Sequence, residues 1–243
     1  MSLRQCLVAI ALVTALPAAA QVLTPEHHAC ANGNGDVDPA EQEKACSAVI
    51  QRGGDKDNLA IAYSNRGNSY LRREVYDKAI QDYGQAIRLD PKFASAYRNR
   101  GAAYFNLGQY DKALPDYDAA IAIEPNEAGG FADRCSVRAV TGEAEKAKVD
   151  CDKAIDLDPQ HVEAQAWRTL VQVQLGRIDE GERDIAGIVG DYPSDPSLRY
   201  LWAMVLEAKG QKTEAEGQFQ LARELDAQEF AKLDKLYGRF RRR

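Results

Sequence analysis

Histidine is scarce in this chain, with three among 243 residues, and methionine and tryptophan are scarcer, with two each. Three histidines cannot furnish a repeated catalytic base, and no two have the spacing of a helical metal-binding pair. A glycine-rich phosphate loop and a nucleophile elbow are also missing, so phosphoryl and acyl transfer have no motif to work from. These absences argue against an enzyme, and no cofactor is expected. A basic excess is missing too: 31 basic against 37 acidic side chains give a net charge of −6. Phosphate backbones are bound by clustered positive charge, so nucleic acid is not an expected partner. The one extended apolar run, Cys6 to Leu16, is shorter than the ~20 residues that span a bilayer.

That run follows Arg4 and ends in Pro17-Ala18-Ala19-Ala20, the small-x-small pattern that signal peptidase reads. Residues 1–20 are therefore expected to be a signal peptide cleaved after Ala20, giving an exported, periplasmic protein of net charge −7. No cysteine follows the run closely, which argues against a lipid anchor. Cys30, Cys46, Cys135 and Cys151 remain after cleavage. An even count in an exported chain favours disulfides, with three pairings open.

What the chain has in abundance is periodicity. Residues 94–127 recur with the same residue types every 34 residues, as 60–93, 94–127, 128–161, 162–195 and 196–229. Counting each unit from one, position 8 holds Gly67, Gly101, Cys135, Thr169 and Ala203, and position 20 holds Ala79, Ala113, Ala147, Gly181 and Ala215. Position 27 holds Ala86, Ala120, Ala154, Ile188 and Ala222, and position 32 is Pro91, Pro125, Pro159 and Pro193. Such a unit cannot bury its own apolar face and must stack on neighbours. Position 15 is Gly108, Gly142, Gly176 or Gly210, suited to the left-handed end of a helix, with Glu74 departing in the first unit. Asp77, Asp111, Asp179 or Thr213 at position 18 is suited to capping the next helix. Pro115 is expected early in its helix, where a missing N–H matters least. Before the array, 21–59 reads as a capping segment with one amphipathic helix over Pro39 to Ile50; after it, 230–243 reads as a basic capping helix or tail.

The pattern resembles the tetratricopeptide repeat family as found in exported bacterial proteins. The resemblance implies an all-α fold, a right-handed superhelical solenoid of antiparallel helix hairpins, and a role in protein–protein interaction.

Two ladders run through the repeats. Position 7 is Arg66, Arg100, Arg134 and Arg168, and position 23 is Asp82, Asp116, Asp150 and Asp184; in the fifth unit both change together, to Trp202 and Gln218. Joint loss points to a structural pair, because either charge left alone and partly buried is costly. One residue further along, Gly67 faces Tyr83, Gly101 faces Tyr117, and Cys135 faces Cys151. Two medium residues replace a small and a large one, which predicts a Cys135–Cys151 disulfide. Cys30 and Cys46 share its 16-residue spacing, and a second bond is expected there.

Other patterns have plainer readings. Tyr63, Tyr70, Tyr76, Tyr83, Tyr97, Tyr104, Tyr110 and Tyr117 fall at positions facing neighbouring helices, so packing accounts for them better than ligand stacking does. Asn32, Asn34, Asp36 and Glu43 have calcium-loop spacing, but Val37 stands where glycine is needed. His27, His28 and Cys30 lie beside the export junction and read as a tail, so no metal site is expected.

In the resembling family the first helix of each hairpin lines a concave groove. That implies partner-binding residues Asn65, Asn68, Arg72, Arg98, Asn99, Phe105, Asn106, Asp133 and Trp167, with Ser64, Ala132, Ala139 and Leu170 between them. Asparagine amides suit an extended peptide backbone, and Arg72 and Arg98 would favour a carboxylate-bearing segment. Asn68 and Asn99 match the asparagines of the family's carboxylate clamp, whereas its basic positions hold Ser64, Gly129 and Asp133. The expected function is a non-enzymatic envelope scaffold binding an unidentified protein or peptide in the groove. Alternatives are a structural component of an envelope assembly, binding through its convex face or basic tail, and an accessory subunit regulating an envelope enzyme. Arg241, Arg242 and Arg243 could also touch anionic lipid weakly.

Overall fold

The computed structural model describes residues 25–31 and 37–241. The expected signal peptide, the Asn32–Asp36 stretch of the calcium count, and Arg242 and Arg243 lie outside the described residues. The described residues form thirteen helices and no strand. A leading pair, α1 (Pro25–Ala31) and α2 (Pro39–Arg52), is followed by five hairpins: α3 (Lys56–Arg72) with α4 (Tyr76–Leu89), α5 (Ala94–Asn106) with α6 (Tyr110–Ile123), and α7 (Ala128–Thr141) with α8 (Ala144–Leu157). Next come α9 (Val162–Gln174) with α10 (Ile178–Asp191), and α11 (Pro196–Ala208) with α12 (Lys212–Leu225). The last helix is α13 (Ala227–Arg241).

Each hairpin turn is made by the residue at position 15. Gly108, Gly142, Gly176 and Gly210 have φ between 71° and 87°, and Glu74 takes the same left-handed turn at φ 60° despite its side chain. The turn closes with a backbone bond five residues back, as in Gln109 N–H to Tyr104 C=O at 2.9 Å and Glu143 N–H to Arg138 C=O at 2.8 Å. The chain then enters the next helix at once. Position 16 becomes the cap residue, as Val75, Gln109, Arg177 or Gln211, and none makes a side-chain capping bond. Asp77, Asp111, Asp179 and Thr213 therefore do not cap: each lies within the first turn, where the three aspartates meet the positive end of the helix dipole. Pro115 also sits deeper than expected, as the sixth residue of α6, so its missing N–H falls past the four donors that lack partners in any helix.

The hairpins close because small residues face one another. The alanines at positions 20 and 27, from Ala79 to Ala222, are at most 2% exposed. Tyr83 and Tyr117 fill the hollows above Gly67 and Gly101, and burial pushes both hydroxyls well above their usual range. The largest apolar cluster lies in the C-terminal half, where Leu170, Ile185, Leu201, Met204 and Phe219 are buried together. α13 covers its open end. The Asp226 carboxylate accepts from the N–H groups of Gln228 and Glu229, which starts α13 three residues before the expected tail. Phe230 and Leu233 are buried against Tyr200 and Phe219; each such side chain contributes about 1.5–3 kcal/mol of burial.

Candidate partner-binding groove

The repeats' ladder residues are spent on the scaffold. Arg66, Arg100, Arg134 and Arg168 each make two bonds to Asp82, Asp116, Asp150 and Asp184 respectively, at 2.6–2.9 Å. Tyr63, Tyr97 and Phe131, three residues before their arginines, present ring faces 5.5–5.7 Å from the guanidinium carbon. Bonds to the aspartates raise the pKa of Arg66, Arg100 and Arg134 further. In the fifth hairpin, where Trp202 and Gln218 replace the pair, Arg199 donates to the Gln218 carbonyl at 3.0 Å. Helix register is kept by a different donor.

Two disulfides tie helix pairs on the same spacing. One joins Cys135 on α7 to Cys151 on α8, and the other joins Cys30 on α1 to Cys46 on α2. Cys30 therefore offers no thiolate beside His28. Glu43, from the calcium count, accepts from the Tyr70 hydroxyl at 2.9 Å and pairs with Arg73.

The residues expected to line the groove fall into three groups. The first is an amide cluster on α3 and α5: the Asn68 side-chain oxygen accepts from the Tyr83 hydroxyl at 2.8 Å and from the Asn99 amide at 2.9 Å. Asn65, half-buried, lies nearly one turn before Asn68 on α3. The second is an ion pair across two helices, Arg98 Nε to Asp133 Oδ2 at 2.8 Å. Gly129 makes room for it, since a β-carbon there would overlap the Arg98 guanidinium. Burial lifts the Asp133 carboxyl above its usual range, and Arg98 opposes the lift. The third is a ring contact: Phe105 and Trp167 meet edge-on at 6.2 Å, and Tyr237 of α13 meets Trp167 edge-on at 5.7 Å.

Several expected groove residues are otherwise engaged. Arg72 donates to the Val37 carbonyl at 2.7 Å, and Asn106 to the Ala102 carbonyl one turn back at 2.8 Å. Ser64, Ala132, Ala139 and Leu170 are at most 3% exposed and so present little side chain to a groove ligand. Arg98, expected to await a ligand carboxylate, already holds an internal one. At the start of α9, His161 Nδ1 lies 3.2 Å from Glu163 and 3.3 Å from the Ala164 N–H.

Sequence reasoning treats α13 as an end cap and misses its second role. Lys232 Nζ reaches Glu74 at 2.9 Å across 158 residues of chain. Between α13 and the tips of the first two hairpins is a cavity of about 670 Å³, lined by Glu74, Tyr76, Phe105, Leu107, Lys232 and Leu236 among others. The signal available in the sequence is Glu74 itself, an acid where every other repeat has glycine. No described helix is long and apolar enough to cross a membrane.

Family profiles match three stretches: a TPR repeat at 67–108, and tetratricopeptide repeats at 94–127 and 170–230. No curated protein sequence matches the chain. Among solved structures, a tetratricopeptide repeat protein from Parabacteroides merdae aligns with TM-score 0.64 at 22% identity, over 75% of this chain and 72% of that one. A thermophilic TPR protein in Thermus thermophilus aligns with TM-score 0.62 at 20% identity, over 69% and 92%. YrrB, a TPR protein with an unusual peptide-binding site, aligns with TM-score 0.55 at 20% identity, over 76% and 94%. With the repeat profiles and the stacked hairpins in agreement, the chain belongs to the tetratricopeptide repeat family.

Proposed function

We propose that the protein is a non-enzymatic scaffold of the cell envelope that binds an extended segment of another protein along its concave face. The observation that carries this reading is the amide cluster. Asn68 spends its oxygen on Tyr83 and Asn99, and Asn99 spends one amide hydrogen in return. The Asn68 amide group and the Asn99 carbonyl keep their capacity, a donor and an acceptor fixed in position by neighbours. That suits a peptide backbone, which offers one of each per residue. Pre-fixed side chains lose little further entropy on binding. The peptide-binding site of the similarly folded YrrB is consistent with a groove that takes peptides.

Export and an oxidising compartment are supported by the leader-like residues 1–20 and by the two cysteine pairs held at bonding distance. The alternative of binding through the basic tail is less favoured, because Tyr237 packs the last helix against Trp167. A regulatory role toward an envelope enzyme is compatible with groove binding and would be one use of it. The test is a comparison of proteins captured from the envelope fraction by wild type and by a variant with Asn65→Ala, Arg98→Ala and Asn99→Ala. Groove binding predicts that the variant loses its main partner while keeping its helicity. A partner retained by the variant and lost on removal of residues 239–243 would assign binding to the tail instead.

A further inference from the structure

α13 is more than a lid on the terminal hairpin. Its first half does that work, with Phe230 and Leu233 buried in the last apolar cluster. Its second half continues across the concave side, where Tyr237 touches both Trp167 on α9 and Tyr200 on α11. Desolvation by these neighbours raises the Tyr237 hydroxyl pKa. At the same time Lys232 reaches the tip of the first hairpin.

The residue it reaches there is unusual. Five repeats turn through the left-handed region at position 15; four do so with glycine, and the first does so with Glu74 at φ 60°. A β-carbon is unfavourable in that region, so glycine would serve the turn better. Backbone strain retained at one copy of a repeated turn points to a use for the side chain. Among the described residues, the ion-pair partner of Glu74 is Lys232 of α13.

We propose that α13 is the resident occupant of the groove between the first two hairpins and Trp167, and that a partner gains Trp167 and Phe105 by exchanging with it as a basic amphipathic segment. α13 supplies the template for that partner: a lysine for Glu74 and, five residues on, a tyrosine for Trp167. Residues 21–229 carry a net charge of −12, which favours a cationic segment here. The Lys232–Glu74 pair is exposed on both sides, at 62% and 60%, and such pairs are weak. Tyr237 therefore holds the helix more firmly than Lys232 does. A tethered occupant is present at an effective concentration in the millimolar range and suppresses weaker competitors. This rests on the groove being the face that binds, but its test does not.

The probe is a fluorescein-labelled peptide of residues 232–243, with binding read by anisotropy. Wild type should bind it weakly, because its own α13 is in place. Tyr237→Ala should bind it at least about tenfold more tightly, and adding Trp167→Ala should abolish the gain. Equal affinity for wild type and Tyr237→Ala, or a gain that survives Trp167→Ala, overturns the proposal. Glu74→Gly separates loosening from misfolding: it should melt no lower than wild type while amide exchange over 234–241 speeds up. Unchanged exchange in both Glu74→Gly and Tyr237→Ala also overturns it. Failure here leaves the envelope-capture result standing, and failure of that capture leaves this one unchanged.

Discussion

The ring of Tyr117 lies over Gly101 so closely that a β-carbon on Gly101 would stand 2.6 Å from Tyr117 Cε1. Tyr117 is 2% exposed and cannot swing away. Gly101→Ala should therefore destabilise the array by about 1–3 kcal/mol, the usual cost of overpacking a filled core, read as a lowered chemical-denaturation midpoint. An unchanged midpoint would mean that the helices separate easily.

Cys135 and Cys151 hold the positions in α7 and α8 that Gly101 and Tyr117 hold in α5 and α6. The two arrangements should be interchangeable. The double change Gly101→Cys with Tyr117→Cys is expected to form a third disulfide without added oxidant beyond air, visible by non-reducing peptide mapping. Conversely, Cys135→Ser with Cys151→Ser should lose about 3 kcal/mol, the chain-entropy value for a loop of this size. A double serine variant as stable as wild type would show that the bond adds nothing to stability.

Arg100 and Asp116 are 23% and 7% exposed in their side chains and share two bonds. Removing one partner strands the other, so Arg100→Ala should lower stability by about 3–5 kcal/mol. Replacing both, as Arg100→Met with Asp116→Leu, should recover most of that loss. Equal losses in the single and double variants would show that the ladder stabilises by its charge and not merely by avoiding a stranded one.

The ladder is legible in the sequence because the fifth repeat changes both partners at once, and the cysteine pair because a swap of volumes marks facing positions. Both signals are internal to one hairpin, where the 34-residue frame fixes which residues meet. The position of α13 is not legible. Contact between Lys232 and Glu74 depends on the small rotation accumulated over every hairpin between them, which no local pattern encodes. The groove is readable as a set of positions but not as a set of free side chains. Arg98 and Asp133 each look available in the sequence, and their pairing depends on Gly129, which looks like an empty site until the Arg98 side chain is placed over it.

His161 Nδ1 has two competing uses. A neutral imidazole accepts there from the Ala164 N–H, capping α9, whereas an imidazolium donates there to Glu163. Bonding to Glu163 raises the His161 pKa from 6.5, with Asp158 and Asp133 adding to the shift, and lowers that of Glu163 from 4.5 to about 2. The bridge's contribution is therefore complete between about 4.5 and 6.5, is lost as pH rises through the folded His161 value, and is lost again as pH falls toward about 2. Glu163 is 77% exposed, so solvent screening keeps the stability change small and the titration is the better measurement. Glu163→Gln should move the His161 proton NMR titration down toward 6.5. A midpoint that does not move would assign the shift to Asp158 and Asp133.

Gly129→Ala offers a way to free Arg98 without removing it. The added methyl meets the guanidinium, the far end of a flexible side chain, so Arg98 should leave Asp133 while the helices stay in place. Asp133 would lose its partner with 30% of its side chain exposed to solvent. That bounds the loss in stability to roughly 1–2 kcal/mol, below the cost of stranding a fully buried charge. Released from Asp133, Arg98 becomes a groove cation that an acidic segment can use. Affinity for a carboxylate-bearing peptide should rise in Gly129→Ala and fall when Arg98→Ala is added. Calorimetric titration of one such peptide into wild type and both variants measures this, and a rise that persists without Arg98 would show that the methyl acts by reshaping the groove floor.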